Sequence, residues 1–144
     1  MDVSLSHLDK LFEKFFDRGA VLATQIHLHS GVSKTKYLII LNRNPADSET
    51  VFFLTTSNPD FYDRHPEFKD YIRLAAKQFP FFPVETIINC RGVHSMARSE
   101  LKRRYLAREL EIVGALTTDL LKQIDQIVTE SQYISPRHKK VILS

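Results

Sequence analysis

The sequence predicts an α+β protein whose short antiparallel strands curl into a small barrel. Three observations carry that prediction. Short apolar or alternating runs crowd into the stretch from residue 20 to residue 114. Few helical segments of crossover length separate them, as parallel β-α-β units would require. Segments with helical spacing stand toward both ends of the chain. The 144 residues, with 43% apolar and 26% charged side chains, suit one domain with its own core.

From the N-terminus, Leu5, Leu8, Leu11, Phe12, Phe15 and Phe16 recur at helical spacing, so Leu5 to Phe16 reads as an amphipathic helix. Ser4 or Ser6 can cap it and Gly19 ends it. Ala20 to Leu28 alternates, with Leu22, Ile26 and Leu28 on one face and Gln25, His27 and His29 on the other. Period two means a half-buried strand. Ser30 to Ser33 is a turn, and Tyr37 to Leu41 is an apolar run that reads as a strand covered on both faces. After loop residues Asn42 to Ser48, Val51 to Leu54 forms a third strand that stops at the polar run Thr55 to Pro59.

Pro66 opens a predicted helix with Phe68, Ile72, Ala75, Ala76 and Phe79 as its apolar stripe, closed by Pro80 and Pro83. Val84 to Cys90 is a fourth strand, with a bend or bulge at Gly92. Ser99 to Leu106 reads either as a short helix or as an irregular basic turn, and Glu111 to Gly114 as a short strand. Thr117 or Thr118 caps a final helix whose Leu120, Leu121, Ile124, Ile127 and Val128 face the core. The tail from Ser135 is expected to be mobile. The expected organisation is thus one domain over 1–144: a helix in 1–17, a core over 18–131 with a helical insertion at 59–83, and a tail at 132–144.

The lone Cys90 excludes an internal disulfide and a cysteine-rich zinc site. It suits a reducing compartment, and with no apolar run of spanning length the expected location is the cytoplasm, away from membranes. The net charge of +3 is small, but Arg91, Arg98, Lys102, Arg103, Arg104 and Arg108 stand against Glu100 alone within 91–108. Such a stripe suits phosphate, or is a solvated basic surface. There is no GxGxxG, P-loop, HExxH or GxSxG pattern. His27 and His29 could hold a metal from one strand face, but no third ligand follows, so no metal or other cofactor is expected.

Segment order resembles the MazF/PemK (Kid-like) toxins of toxin–antitoxin systems. The likeness lies in Arg18-Gly19-Ala20-Val21-Leu22, in Lys34-Thr35-Lys36 with the strand that follows, in Val51 to Ser57, and in Glu111 to Thr117 with its helix. Thr86 to Ser95 stands where the family has its "DQ" strand. The resemblance implies an SH3-like barrel, a homodimer, a cognate antitoxin protein, and cleavage of single-stranded RNA without a metal. Lys36 matches the family's active-site arginine and Thr55 its Ser/Thr at the end of the third strand, while Arg91 and Asn89 match its acting Asp and Arg. Lysine is a point charge that cannot fork two phosphate oxygens, and arginine in place of aspartate removes a base. A divergent or inactive member is therefore a second expectation.

Cleavage needs a base for the 2′-hydroxyl, a proton for the leaving oxygen and cations for the charge on phosphorus. His29 is favoured as base, Lys36 and Arg91 as cations, and Thr55 as hydrogen-bonding partner of the phosphate. Lys34, Thr56, Ser57, His27, His94, Arg98, Lys102, Arg103 and Arg104 are the expected RNA-binding residues. Each has a plainer reading: strand-face histidines exposed to solvent, turn-forming threonines, a lysine that blunts an edge. Cys90 reads as a small buried residue, and Phe79, Phe81 and Phe82 either stack bases or anchor the insertion. The alternative function is a binding module on the same barrel, for nucleic acid or, like the CcdB inhibitors, for a protein target; a further one is a subunit docked through the Leu5–Phe16 face.

Overall fold

The computed structural model describes residues 4–27 and 30–144. The elements in chain order are α1 (Leu5–Phe15), β1 (Ala20–His27), β2 (Ser33–Ile40), β3 (Glu49–Thr56), α2 (Asp60–Arg64), β4 (Tyr71–Leu74), β5 (Thr86–Ala97), α3 (Arg98–Leu106), β6 (Leu110–Ala115), α4 (Thr118–Glu130) and α5 (Pro136–Leu143). The strands form one sheet in the order β4-β5-β3-β2-β1-β6, and every neighbouring pair is antiparallel. The protein is therefore α+β, as the sequence predicts. Among the described residues strands β4 and β6 end the sheet without pairing to each other, so the expected barrel is not closed by hydrogen bonds there.

Alternation along the strands sends side chains to two faces, and both faces are covered. On one face Val21, Ile39, Phe53, Ile88 and Cys90 pack with Leu120, Ile124 and Val128 of α4 and Ile142 of α5. On the other, Leu22, Leu38, Ile40 and Phe52 pack with Phe12 and Phe16 of the N-terminal segment and Leu101 of α3. This explains why Tyr37 to Leu41 reads as a continuous apolar run: the central strands have no wet side. Each fully buried side chain of this size contributes about 1.5–3 kcal/mol.

Local signals set the helix starts. The Ser4, Thr117 and Ser135 hydroxyls accept the His7, Leu120 and His138 backbone N–H groups at 3.2, 3.3 and 3.2 Å. Gly19 turns the chain from α1 into β1 at φ +85°, a conformation that suits glycine. At Gly114 a Cβ would stand 2.3 Å from the Phe81 ring, so the loop before β5 lies directly against the β6 backbone.

Three expectations are corrected. The helix predicted from Pro66 to Phe79 is absent: α2 precedes that stretch, and β4 occupies its middle. Ile72 and Leu74 are buried while Arg73 and both alanines, Ala75 and Ala76, are exposed, so the stretch buries period two against β5. Lys77 takes φ +64° in the turn that follows. The expected mobile tail is α5, with Pro136 in its first turn and Ile142 buried in the core. The strand predicted over Val84 to Cys90 begins at Thr86 instead, and its expected continuation past a bulge near Gly92 runs to Ala97. The basic segment whose sequence reads as either a short helix or an irregular turn is the helix α3.

Candidate functional site

The register of the central strands decides which polar side chains meet. Leu38 of β2 lies opposite Leu54 of β3. Lys36 and Thr56, each two residues further toward the sheet's open end, therefore share the face of Leu38 and Leu54. Thr55 alternates to the face of Phe53 and is only 6% exposed. On β5 the register jumps: His94 opposes Phe52 and Asn89 opposes Leu54, leaving Cys90, Arg91, Gly92 and Val93 against Phe53 alone. This is a large bulge, the device that re-aims strand side chains.

A cleft of about 600 Å³ opens at this end of the sheet. Its floor is Lys36, Leu54, Thr56, Asn89 and His94; its wall is the segment carrying Asn58, Phe61, Tyr62 and Phe68; Thr55, Arg91 and Gly92 complete the lining. The wall is an aromatic cluster: Phe61 and Phe68 meet edge to face at 5.0 Å, and Tyr62 lies 4.6 Å from Tyr71. Phe61 nevertheless remains 46% exposed. Burial pushes the Tyr62 phenol above its ordinary pKa, so it stays protonated. The polar rim is ordered by short backbone links. The Thr56 hydroxyl accepts the Asn58 N–H at 3.2 Å, Asn58 Oδ1 accepts the Asp60 N–H at 3.1 Å, and Asn89 Oδ1 accepts the Arg91 N–H at 3.0 Å.

Two groups in this cleft are uncommitted. The Lys36 ammonium has no ion-pair or hydrogen-bond partner among the described residues. The exposed His94 ring lies nearly parallel to Phe52 at 6.0 Å, and neither of its nitrogens is hydrogen-bonded among the described residues. Arg91 is the opposite case. Its guanidinium is sandwiched between Phe68 and Tyr133, 3.5 and 4.0 Å from the ring centres, and Nε lies 3.3 Å from Asp70. It braces the wall against the far side of the sheet.

The structure thus brings Lys36, Thr56, Arg91 and His94 of the expected set to one cleft, with Thr55 beneath it. Lys34 and Ser57 line an adjoining hollow of about 130 Å³ together with Lys36, Thr55 and Thr56. His29 and the His27 side chain lie outside the described residues. Arg98, Lys102, Arg103 and Arg104 stand elsewhere, on α3 and out of the cleft lining. Arg98 pairs with Glu13 at 2.8 Å and donates to the Pro45 carbonyl; Lys102 meets Asp9 and Glu13 at 2.7 and 2.8 Å. Arg103 and Arg104 both hold Glu100, at 2.8 and 3.0 Å. Hydrogen bonds from Arg98, then Lys102, lower the Glu13 carboxyl to about 2, and those from Arg103 and Arg104 lower Glu100 likewise to about 2.

Asn58, Phe61, Tyr62 and Phe68 are lining residues that the sequence reading passed over. The available signal was the aromatic density of the stretch from Phe61 to Tyr71 directly after a strand end. Cys90 is fully buried, burial pushes its thiol pKa up, and it takes no part in the cleft. Among the described residues no group of three or more His, Cys, Asp or Glu side chains could hold a metal ion, and no helix is long and apolar enough to cross a membrane. Comparison of the chain with protein-family models, curated proteins and solved structures finds no match.

Proposed function

We propose that the protein binds single-stranded RNA in this cleft and cleaves it through the ribose 2′-hydroxyl, as a toxin-type endoribonuclease. The observation that carries the reading is the unpaired Lys36 ammonium in one cleft with the unbonded His94 ring and an exposed aromatic wall. An RNA strand brings what each can use: phosphate for the cation, a proton for the imidazole, a base face for Phe61. His94 takes the 2′-proton, and the 2′-oxygen bonds to phosphorus as the bond to the 5′-oxygen breaks. The leaving 5′-oxygen takes a proton from water at the cleft mouth, and Lys36 offsets the charge gathered on the phosphoryl oxygens. The products are a 2′,3′-cyclic phosphate and a 5′-hydroxyl. His94 replaces His29 as the base in this scheme because it stands in the cleft lining.

The segment order described above supports the rest of the reading. It carries a homodimer, a cognate antitoxin protein and a sheet curled in the SH3-like manner; the lone cysteine suits a cytoplasmic setting. The test is incubation of pure protein with single-stranded RNA in a chelating buffer. Fragments with cyclic-phosphate ends, lost in Lys36→Ala and His94→Ala, support it; intact RNA at high protein concentration removes it. A second reading, binding without cleavage, is favoured by the Thr55 hydroxyl lying on the opposite face from Lys36 and by the engagement of Arg91 with Asp70. It expects RNA retention that weakens steeply with salt and yields no fragments.

A further inference from the structure

We infer that the cleft selects keto bases, uracil or guanine, over amino bases, with Asn58 and Asn89 as the selecting side chains; this rests on the RNA reading above. An asparagine amide offers an oxygen that accepts and a nitrogen that donates. In both residues the oxygen is already committed. Asn58 Oδ1 accepts the Asp60 N–H and Asn89 Oδ1 accepts the Arg91 N–H. A backbone N–H cannot be met by an NH2 group, so these two bonds also fix which way each amide points. The NH2 end of each is the wholly free group, with no partner among the described residues.

Lys36 and Thr56, beside the two amides, add donors, while His94 stands apart as the acceptor that takes the 2′-proton. Lys36 can only donate, and the Thr56 oxygen already accepts the Asn58 N–H, leaving its hydroxyl proton to give. Among the described residues no aspartate or glutamate lines the cleft. A guest edge that meets these two amides and Lys36 gains by supplying acceptors. Phosphate does so for any nucleotide, so it carries no sequence information. The bases differ. Uracil and guanine place a carbonyl oxygen where cytosine and adenine place an exocyclic amine. Against the free amides of Asn58 and Asn89 the carbonyl gains a hydrogen bond, while the amine leaves two donors facing each other. The base face stacks on the Phe61–Phe68 wall and its edge meets the amides.

End-labelled oligouridylate and oligocytidylate of equal length differ at the ring position where oxygen replaces amine. Fluorescence anisotropy of wild-type protein should show oligouridylate bound about tenfold tighter. Asn58→Asp and Asn89→Asp keep the acceptor for the backbone N–H and exchange the free donor for a carboxylate oxygen. The added charge weakens both oligomers alike, so the ratio is the readout, and it should fall to about one or reverse toward cytosine. Matched thermal melts of the variants exclude a folding effect, and the wild-type ratio stands independently of either variant. Equal binding of the two oligomers, or a ratio unchanged in both variants, overturns the inference while leaving RNA binding in place. Absence of binding to either oligomer overturns the RNA reading and the base preference with it.

Discussion

The cleft and the seam between α1 and α3 both display cations, and they differ in what those cations face. In the seam, Arg98 and Lys102 are bound to Glu13 and Asp9, and Arg103 and Arg104 to Glu100. In the cleft, Lys36 faces open volume. Basic residues are numerous in the first region and sparse in the second, yet only the second has charge to offer a guest. Charge density along a sequence therefore locates basic side chains without saying whether they are spoken for. Arg98 and Lys102 hold α3 to α1, over a hydrophobic contact of Phe12, Phe16 and Leu101, while Arg103 and Arg104 pair within α3. Solvent screens the seam's exposed pairs, so they contribute less than the burial beneath them.

The sharpest way to break this contrast is to remove the free groups. Lys36→Ala and His94→Ala should each lower RNA cleavage by about a hundredfold or more, with melting temperatures unchanged. Cleavage that survives both substitutions would leave the cleft without a role. Next in size is Arg91→Ala, which removes two ring contacts and the Asp70 pair. It should cost about 2 kcal/mol in chemical denaturation and weaken RNA binding only by loosening the wall.

The seam sharpens the comparison through pH. The Glu13 carboxyl is lowered from 4.5 to about 2 by Arg98 and Lys102. A depressed carboxylate stabilises the fold fully above its unfolded value, and that contribution is lost as pH falls through the folded value. Melting temperature should therefore drop between about pH 4.5 and pH 2, and Glu13→Gln should flatten that drop. The smallest effect belongs to Arg103→Ala, whose partners are Glu100 and Glu109. RNA affinity in that variant should stay within about twofold of wild type, measured in the same anisotropy assay.

Periodicity made α1, α4 and the first three strands legible, because each buries a stripe that its own spacing announces. The stretch from Pro66 to Phe79 misled for a physical reason. Phe68, Ile72 and Phe79 fit a helical stripe, but pairing with Thr86 to Asn89 of β5 governs, and Ile72 and Leu74 bury on alternate positions. Ser135-Pro136 was a helix start masked by its basic surroundings and its place near the chain end. Lys36, Thr56 and His94 were named from residue type and segment order. The partners that distinguish them from the seam's cations were not visible, because Arg98 and Glu13, or Arg91 and Asp70, meet across long stretches of chain. Thr55 against Thr56 was undecidable without the register, since a step of one residue exchanges faces.

The extra residues of β5 have a consequence for phase. Asn89 and His94 are an odd number of positions apart, so an uninterrupted strand would aim them to opposite sides of the sheet. The surplus opposite Phe53 resets the alternation, and Leu54 and Phe52, their cross-strand neighbours, lie on one side. An amide and an imidazole from a single strand thereby look into the same space. Deleting one residue at Gly92 would make that spacing even, so plain alternation would then hold the amide and the imidazole on one side without the phase reset.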